Sequence, residues 1–448
     1  MTTFPFTFEQ NFLRGQHETD GSTAGFGQRP ISSGALRVRG PLDPSRLDAA
    51  IQDAVGLHPQ ARAAVRPEGQ EIRASATVRV EELGLVADAD TVHDDTMPDD
   101  TMPDDAADGR DRAAEEFVAA CESHPFSERD FPPLRAYLGR FDDDDAVLVL
   151  VGFLPLIDVW SIELLLRDIT RLYAGETVAP PPSYADYAAQ QSTASTGSTW
   201  ADRLAGAEAH VLESDHPAAE HPSGTTRVDR FPVDATISGG IQRLAEESRS
   251  SAYMVLLAAH AVELARTTGR RRGLVWMLTA GPGRRDDKWT DTVGYFANMC
   301  PLPVGLDGCD TFRDAVSAVR AAALESLTHE IPFVELLTIA GPQLAKLERP
   351  GMVVPGFAMF QSPAGAQLAE AGEVRFDAVH RVRSQDAGPG IPDDAILWTI
   401  ERGSDGTVYY ALSSSADRWE APSVRAMAEG FARSLSALVT APDQPIDL

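Results

Sequence analysis

The sequence has few cysteines and no long apolar run. Its three cysteines, Cys121, Cys300 and Cys309, are odd in number and lack CxxC spacing, so neither a disulfide framework nor a cysteine zinc site is supported. No window approaches about 18 uninterrupted apolar residues, and no basic stretch precedes an apolar run at the N-terminus. We therefore expect no membrane span and no export signal, and a reducing cytoplasm fits this cysteine usage.

Basic residues are also scarce. The 448 residues include 39 Lys and Arg against 67 Asp and Glu, which gives a net charge of −28. A field of this sign repels phosphate backbones and anionic lipid headgroups, so nucleic acids and membrane surfaces are excluded as partners. The 43% of hydrophobic residues is ordinary for a globular protein, and most of the chain is expected to fold.

Strand and helix patterns alternate along the first part of the chain. Residues 31–40 read as a strand, and the spacing of Leu47, Ile51 and Val55 by four predicts an amphipathic helix after it. The apolar run at residues 146–150 has the composition of a buried strand, and residues 161–173 read as a helix. The sequence thus predicts an α/β (α+β) fold.

An acidic loop is predicted at residues 86–116. This stretch includes DDTMPDDTMPDD and offers almost no apolar face, so we expect it to be mobile. Two interpretations remain open: a docking tail for a basic partner, or a surface insertion that is tolerated because long loops cost little to close.

A connector is predicted at residues 179–199. A proline run and the segment QSTASTGST flank SYADYAAQ, and this composition is typical of a linker. We expect an N-terminal lobe at residues 1–178 and a C-terminal lobe at residues 200–448. The second lobe is again mixed, and its predicted elements are helices at residues 234–247, 252–268 and 311–328 and a strand at residues 273–279.

Several blocks occur in the order found in one known family. They are FPFTFEQNFL, LHPQARAAV, HPFSERDFPPLRAYL, SYADYAAQ, GPGRRDDKWTDTVGYFANMCPLPV and HEIPFVELL. With these blocks the chain resembles the condensation domains of nonribosomal peptide synthetases, relatives of chloramphenicol acetyltransferase. The resemblance implies two acetyltransferase-like lobes in a V-shaped pseudo-dimer. It also implies a tunnel between them in which carrier proteins present thioesters on phosphopantetheine arms.

The catalytic motif of that family is degenerate in this chain. The family's His-His-x-x-x-Asp-Gly motif falls on FLPLIDV, which places Phe153 and Leu154 on the two histidines, Asp158 on the Asp and Val159 on the Gly. Phe and Leu cannot transfer a proton, and general acid–base assistance contributes roughly 10² to 10⁴ in rate. Val159 also adds a β-branched side chain where the family's substrates pass, which favours a narrowed tunnel.

No other histidine restores the motif, because none of the ten has an Asp four residues later. His58, His260 and His329 read as structural, whereas His380 in FDAVHRV is the least explained. The resemblance implies that Asp158 pairs with Arg284 of the Gly-Arg block, and a scaffold bridge is favoured for this pair over a catalytic role.

The remaining candidates are binding groups. The resemblance implies that the tunnel is lined by residues from two segments, namely Trp160, Ser161, Tyr295, Phe296 and Asn298. The basic cluster at residues 269–273 fits either an acidic carrier protein or a solvated turn. No metal motif, phosphate loop or serine-hydrolase elbow is present, so no bound metal or cofactor is expected beyond the phosphopantetheine arm of a partner.

Two functions remain open. The first is a free-standing protein that lacks the catalytic histidines and binds a carrier protein, a synthetase module in trans or a tailoring enzyme. The second is a carrier-dependent acyltransferase that forms an amide or a ring by proximity, because a thioester is already activated and orientation alone supplies several kcal/mol.

Overall fold

The computed structural model describes residues 2–18, 31–85, 105–124, 126–191, 197–219, 223–344, 352–359, 368–379, 381–387, 394–402 and 408–448. The strands in these ranges are β1 (Thr2–Phe4), β2 (Ile31–Arg39), β3 (Ala63–Arg66), β4 (Gly69–Ile72), β5 (Val80–Gly84), β6 (Leu134–Asp142), β7 (Asp145–Phe153), β8 (Leu212–Glu213), β9 (Thr226–Val233), β10 (Arg272–Thr279), β11 (Asn298–Gly305), β12 (Met352–Met359), β13 (Arg375–Ala378), β14 (Gln385–Ala387), β15 (Ala395–Arg402) and β16 (Val408–Ser415). The helices are α1 (Phe8–Glu18), α2 (Pro44–Leu57), α3 (Asp105–Glu122), α4 (Val159–Tyr173), α5 (Tyr184–Gln190), α6 (Gly197–Arg203), α7 (Ala235–Glu247), α8 (Ala252–Thr268), α9 (Phe312–Thr328), α10 (Phe333–Leu344) and α11 (Ala421–Thr440).

A five-stranded sheet forms the core of the N-terminal lobe, in the order β13-β2-β7-β6-β5. Its central strand β7 is the predicted apolar run, and its side chains from Ala146 to Val151 are buried on both faces. Helix α4 packs on strands β2 and β7 of this sheet, and α2 packs against α4. Asp43 caps α2, because its carboxylate accepts from the backbone N–H groups of Ser45 and Arg46. The predicted strand at residues 31–40 and the helix after it are both confirmed.

A larger sheet forms the core of the C-terminal lobe, in the order β11-β10-β12-β15-β16-β9-β14, with β8 paired to β12. Helix α8 packs against β10 and β12 and is buried from Val255 to Val262. Gly269 ends this helix in the left-handed conformation, with φ +65°. The four elements predicted in this lobe are all present, each within two residues of the expected bounds. A separate three-stranded sheet has the order β1-β4-β3.

One strand from late in the chain crosses to the other lobe. Strand β13 pairs with β2 of the five-stranded sheet, and β14 pairs with β9 of the larger sheet. A division of the chain at residues 179–199 therefore does not separate the two sheets completely. The proposed connector itself contains α5, whose Tyr184 and Tyr187 are buried.

The prediction of a mobile acidic loop is wrong for the second part of the segment. Residues 105–116 were expected to be part of a mobile loop, yet they begin α3, whereas residues 86–104 lie outside the described residues. The helix forms because Ala114, Phe117, Val118 and Cys121 recur on one face and are buried against the sheet. Among the described helices, none has the length and apolar content needed to cross a lipid bilayer.

Candidate functional site

The segment FLPLIDV, residues 153–159, runs from the last residue of β7 through a turn to the first residue of α4. Phe153 ends the strand and donates its backbone N–H to the carbonyl oxygen of Pro133, 2.9 Å away. Its own carbonyl accepts from the N–H groups of Leu156 and Ile157, which closes a tight turn. A buried glutamine of α1 also holds this turn, because Gln10 Nε2 donates to the carbonyl oxygen of Pro155 at 2.8 Å.

The two positions that the resemblance assigns to histidine hold only hydrocarbon. The Phe153 side chain is 1% exposed and its ring lies 6.0 Å from that of Phe126. Leu154 is half-buried against the core of the N-terminal lobe. Neither side chain carries a lone pair or an exchangeable proton, so this turn cannot supply a general base from these two positions.

Asp158 caps helix α4 and at the same time holds the opposite lobe. Its Oδ1 accepts from the backbone N–H of Ser161 at 2.8 Å, which is the capping contact. Its Oδ2 accepts from the backbone N–H of Phe296 at 3.0 Å, and its own N–H donates to the carbonyl oxygen of Gly294. The carboxylate is therefore fully engaged in structure.

Arg284 completes this junction from the C-terminal lobe. Its Nη2 lies 3.3 Å from Asp158 Oδ1 and donates to Ser161 Oγ at 3.1 Å. Its Nη1 donates to three backbone carbonyl oxygens, those of Trp289, Thr290 and Thr292. Burial lowers the pKa of this guanidinium from its ordinary value, and the neighbouring carboxylate opposes that shift. The expected partners Asp158 and Arg284 thus lie together, both buried.

The other residues at the start of α4 also hold the facing loop. Ser161 Oγ donates to the carbonyl oxygen of Gly294 and accepts from its N–H. Trp160 Nε1 donates to the carbonyl oxygen of Thr290 at 3.1 Å. Val159 and Trp160 are half-buried, so their outer surfaces remain available at this edge. The Ser161 hydroxyl is fully used by these hydrogen bonds and by Arg284, so it is not available to a ligand.

Three candidates in the facing loop are committed to packing. Phe296 is 0% exposed and Tyr295 is 5% exposed. Asn298 was expected to line the tunnel, but both ends of its amide are used: Nδ2 donates to Glu330 Oε1 and to the carbonyl oxygen of Ile331, and Oδ1 accepts from the N–H of Phe333. In this arrangement both N–H groups of Asn298 are used, and none is left to donate to a substrate carbonyl.

Sequence reasoning missed the residues that support the site from behind. Gln10, Gln60 and Gln70 form a buried amide cluster, in which Gln10 Nε2 lies 3.1 Å from Gln70 Oε1 and Gln60 Nε2 lies 2.6 Å from the same oxygen. Tyr184 hydrogen-bonds to Thr7 Oγ1 and donates to the carbonyl oxygen of Tyr295. The spacing of Tyr184 and Tyr187 by three residues was the available signal, because it places both rings on one helix face.

The histidines that read as structural, His58, His260 and His329, pair or pack away from residues 153–159. His58 Nε2 lies 2.9 Å from Asp168 Oδ2, with both side chains buried, and His329 Nδ1 lies 3.0 Å from Arg203 Nη2. His260 packs on the rings of Phe357 and Trp398. His380 lies outside the described residues.

The basic cluster is paired with acidic groups and the chain end. Arg270 contacts Glu208 and Arg272 contacts Asp307, whereas Arg271 donates to the carbonyl oxygen of Leu448. These pairings favour the solvated turn over a carrier-binding patch. Across the described ranges, no three His, Cys, Asp or Glu side chains are arranged to hold a metal ion.

Comparisons with known proteins agree with this architecture. A family model described as "Condensation domain" matches residues 31–447. The protein named as a probable nonribosomal peptide synthetase, CymA of Salinispora arenicola, is 29% identical over 466 residues, which cover 98% of this chain. CymA is much longer, and the chain spans 6% of its length.

Two solved structures are similar over nearly the whole chain. SgcC5 of Streptomyces globisporus, in complex with (R)-(−)-1-(2-naphthyl)-1,2-ethanediol and sucrose, is 29% identical with a TM-score of 0.86, and the match covers 99% of this chain and 100% of SgcC5. The X-domain from teicoplanin biosynthesis, in complex with OxyB, is 20% identical with a TM-score of 0.70, over 99% of this chain and 95% of the X-domain. The chain therefore belongs to the condensation-domain family and has its chloramphenicol-acetyltransferase-like fold.

Proposed function

We propose that this protein serves a nonribosomal peptide or related natural-product pathway by binding a protein partner, and that it does not catalyse condensation through a histidine base. The observation that carries this proposal is the pair Phe153 and Leu154 at the end of β7, where the family places its proton-transferring histidines. A general base must lie within hydrogen-bond reach of the proton that it removes, and neither side chain has an atom that accepts one.

The frame around the motif supports a binding role. Asp158, Ser161 and Arg284 retain a buried network of hydrogen bonds that joins α4 to residues 289–296. An ion pair that is buried in this way costs desolvation and persists only where its geometry is good. Retention of this network without the base supports a role of this region in binding.

Val159 supports the same conclusion. It replaces the glycine of the family motif at the first residue of α4, and its side chain is half-buried beside Trp160. Its isopropyl group adds three carbon atoms where the family motif has only a hydrogen, and we expect it to narrow the passage that a phosphopantetheine arm uses in this family. A carrier protein that docks here is therefore expected to be bound without efficient acyl transfer.

The partner is of one of two kinds. Condensation domains work with carrier proteins and with the modules that contain them, which favours a carrier protein with its phosphopantetheine arm. The similar X-domain is solved in complex with OxyB, which makes a tailoring enzyme the second kind of partner.

The test separates binding from chemistry. The protein is mixed with carrier proteins from its own pathway in the apo, holo and acyl-loaded forms. Complex formation is measured by biolayer interferometry, and acyl transfer to amine and alcohol acceptors is measured by intact-protein mass spectrometry. An alcohol acceptor is included because SgcC5 is solved with a bound diol. We expect binding of at least one form, with no transfer above the rate without protein.

A matched pair of variants locates the binding surface. Val159→Asp places a charge at the half-buried edge of the motif, whereas Leu83→Ser changes an exposed apolar side chain on the edge strand β5. Binding that is weakened by the first variant and not by the second supports the proposed surface. Acyl transfer well above background would overturn the proposal and favour the proximity-driven acyltransferase.

A further inference from the structure

A strap, described at residues 375–379 and 381–387, pairs with both sheets. Its first part, β13, pairs with β2, and its last part, β14, pairs with β9. These strands have four and three residues and lie at the ends of their sheets, so their ladders contain few hydrogen bonds. We therefore expect side-chain contacts to hold the strap to the two sheets in addition to these ladders.

Glu115 of α3 binds the backbone of the strap. Its Oε2 accepts from the N–H groups of Val382 and Arg383, each at 3.0 Å, and its Oε1 accepts from Arg383 Nη1 at 2.9 Å. The carboxylate is 5% exposed. Three donors on one buried carboxylate make a strong, charge-assisted attachment.

A second contact with the strap is made by Glu122, which lies two turns later on the same helix. Its Oε2 accepts from Arg381 Nη1 at 2.7 Å, and its Oε1 accepts from the hydroxyl of Ser33 in β2. Arg381 Nη2 also lies 3.4 Å from Ser33 Oγ. This contact joins α3, β2 and the strap at one point within the N-terminal lobe.

The C-terminal lobe holds the opposite side of the same residues. Arg230 of β9 donates from Nη1 to the carbonyl oxygen of Arg383 at 3.0 Å, and its backbone N–H donates to Ser384 Oγ at 3.1 Å. Its Nε lies 3.7 Å from Glu401 Oε2 in β15. Arg383 is therefore held by Glu115 through its side chain and by Arg230 through its backbone.

We propose that Glu115 and Glu122 form an ionic clasp on the strap, and that this clasp sets the position of the two sheets relative to each other. Within the described ranges, the cluster brings three arginines, Arg230, Arg381 and Arg383, against three carboxylates, those of Glu115, Glu122 and Glu401. Removal of one buried partner leaves another charge unpaired, so the contacts are kept or lost together. The clasp shares no residue with the Asp158–Arg284 junction and does not depend on the proposed binding function.

The test measures the position of the lobes. Spin labels are placed on introduced cysteines at Asp48 in α2 and Gln242 in α7, which are both exposed, whereas the native cysteines are buried. Double electron–electron resonance then compares the wild-type protein with Glu115→Ala/Glu122→Ala. The control is Glu116→Ala, which removes an exposed carboxylate from the same helix.

We expect a narrow distance distribution in the wild type and in the control, and a broadened or shifted one in the double variant. Amide hydrogen exchange at residues 381–387 should accelerate by about tenfold or more in the double variant alone. Unchanged distances and unchanged exchange would overturn the clasp. If the alanine variant does not fold, Glu115→Gln/Glu122→Gln keeps the side-chain volume and removes the charge, and wild-type behaviour of that variant would overturn the clasp equally.

Discussion

Arg284 Nη2 lies 3.3 Å from Asp158 Oδ1, and both side chains are buried between a helix start in one lobe and a loop of the other. The distance is long for a charge-assisted hydrogen bond. Both groups have further partners, because the carboxylate also accepts two backbone N–H groups and Arg284 Nη1 also donates to three carbonyl oxygens. The pair therefore acts as a junction for the backbone of both lobes.

Removal of Arg284 is predicted to destabilise the protein strongly. Arg284→Ala leaves the buried Asp158 without its cation and three carbonyl oxygens without a donor, which costs about 3–5 kcal/mol. The measurement is the melting temperature by differential scanning calorimetry. Asp158→Ala is expected to act in the same direction.

The control is a surface ion pair whose N–O distance is shorter than that between Arg284 and Asp158. Arg39 Nη1 lies 2.6 Å from Asp377 Oδ2, with 56% and 42% of the side chains exposed. Arg39→Ala is expected to cost about 1 kcal/mol or less, because water screens this pair. Equal melting shifts for the two arginine variants would show that burial does not determine the strength of the junction.

The sequence predicted the elements whose signal is local. Leu47, Ile51 and Val55 are buried on one face of α2, as their spacing predicted, and the apolar run at residues 146–150 is the centre of the five-stranded sheet. The order and boundaries of these elements follow from periodicity and capping, which depend on neighbouring residues only.

Elements whose stability comes from distant contacts could not be predicted in this way. The start of α3 was grouped with the Asp-rich stretch, because its buried face at Ala114, Phe117 and Val118 lies largely beyond that stretch. The pairing of β13 with β2 joins residues more than 300 positions apart, and no local pattern encodes it. The commitment of Asn298 to Glu330 and Phe333 likewise depends on a loop that packs only in the folded chain.

Gly281 is predicted to tolerate no side chain. It has φ +88°, and a Cβ built on its backbone would lie 1.7 Å from the carbonyl oxygen of Phe296. Gly281→Ala must therefore displace the loop that contacts Asp158, and we expect a loss of about 3 kcal/mol or more from strain and overpacking together. Gly308 is the control, because it also has a positive φ, +74°, but nothing lies within 4 Å of its Cβ position.

The cost of Gly308→Ala is expected to be about 1–2 kcal/mol, which is the backbone term alone. Chemical denaturation of both variants gives the comparison. A Gly281→Ala protein as stable as the Gly308→Ala protein would mean that the loop at residues 292–296 moves freely, contrary to its hydrogen bonds with α4.

Acid is predicted to destabilise the protein through His260. Burial among aromatic rings lowers the pKa of this imidazole from 6.5 to about 3, and the charge of His210 acts in the same direction. The folded state then binds fewer protons than the unfolded state between these values, so the contribution is complete above pH 6.5 and is lost as the pH falls towards 3. At pH 5 the loss is about 2 kcal/mol.

The variant His260→Leu removes the ionisable group while keeping an apolar side chain. We expect its free energy of unfolding to fall less steeply between pH 7 and pH 5 than that of the wild type. Leu257→Ala, at a buried position of the same helix, should lower stability at every pH without changing the slope. Parallel pH profiles for the wild type and His260→Leu would contradict the predicted role of this histidine.

Restoring one histidine is predicted not to restore condensation. Leu154→His places an imidazole at the second motif position, but Val159 still fills the space that the family leaves to a glycine, and Phe153 still occupies the first position. We expect acyl transfer between loaded carrier proteins to stay at background in the assay by intact-protein mass spectrometry. Leu154→Asn is the matched control, because it adds polarity without a base.

The double variant Leu154→His/Val159→Gly tests whether Val159 blocks the passage of the substrates. Acyl transfer by the double variant alone would show that Val159 blocks it. Rapid product formation by Leu154→His alone would show that the passage is open, and that only the missing base separates this chain from a working catalyst.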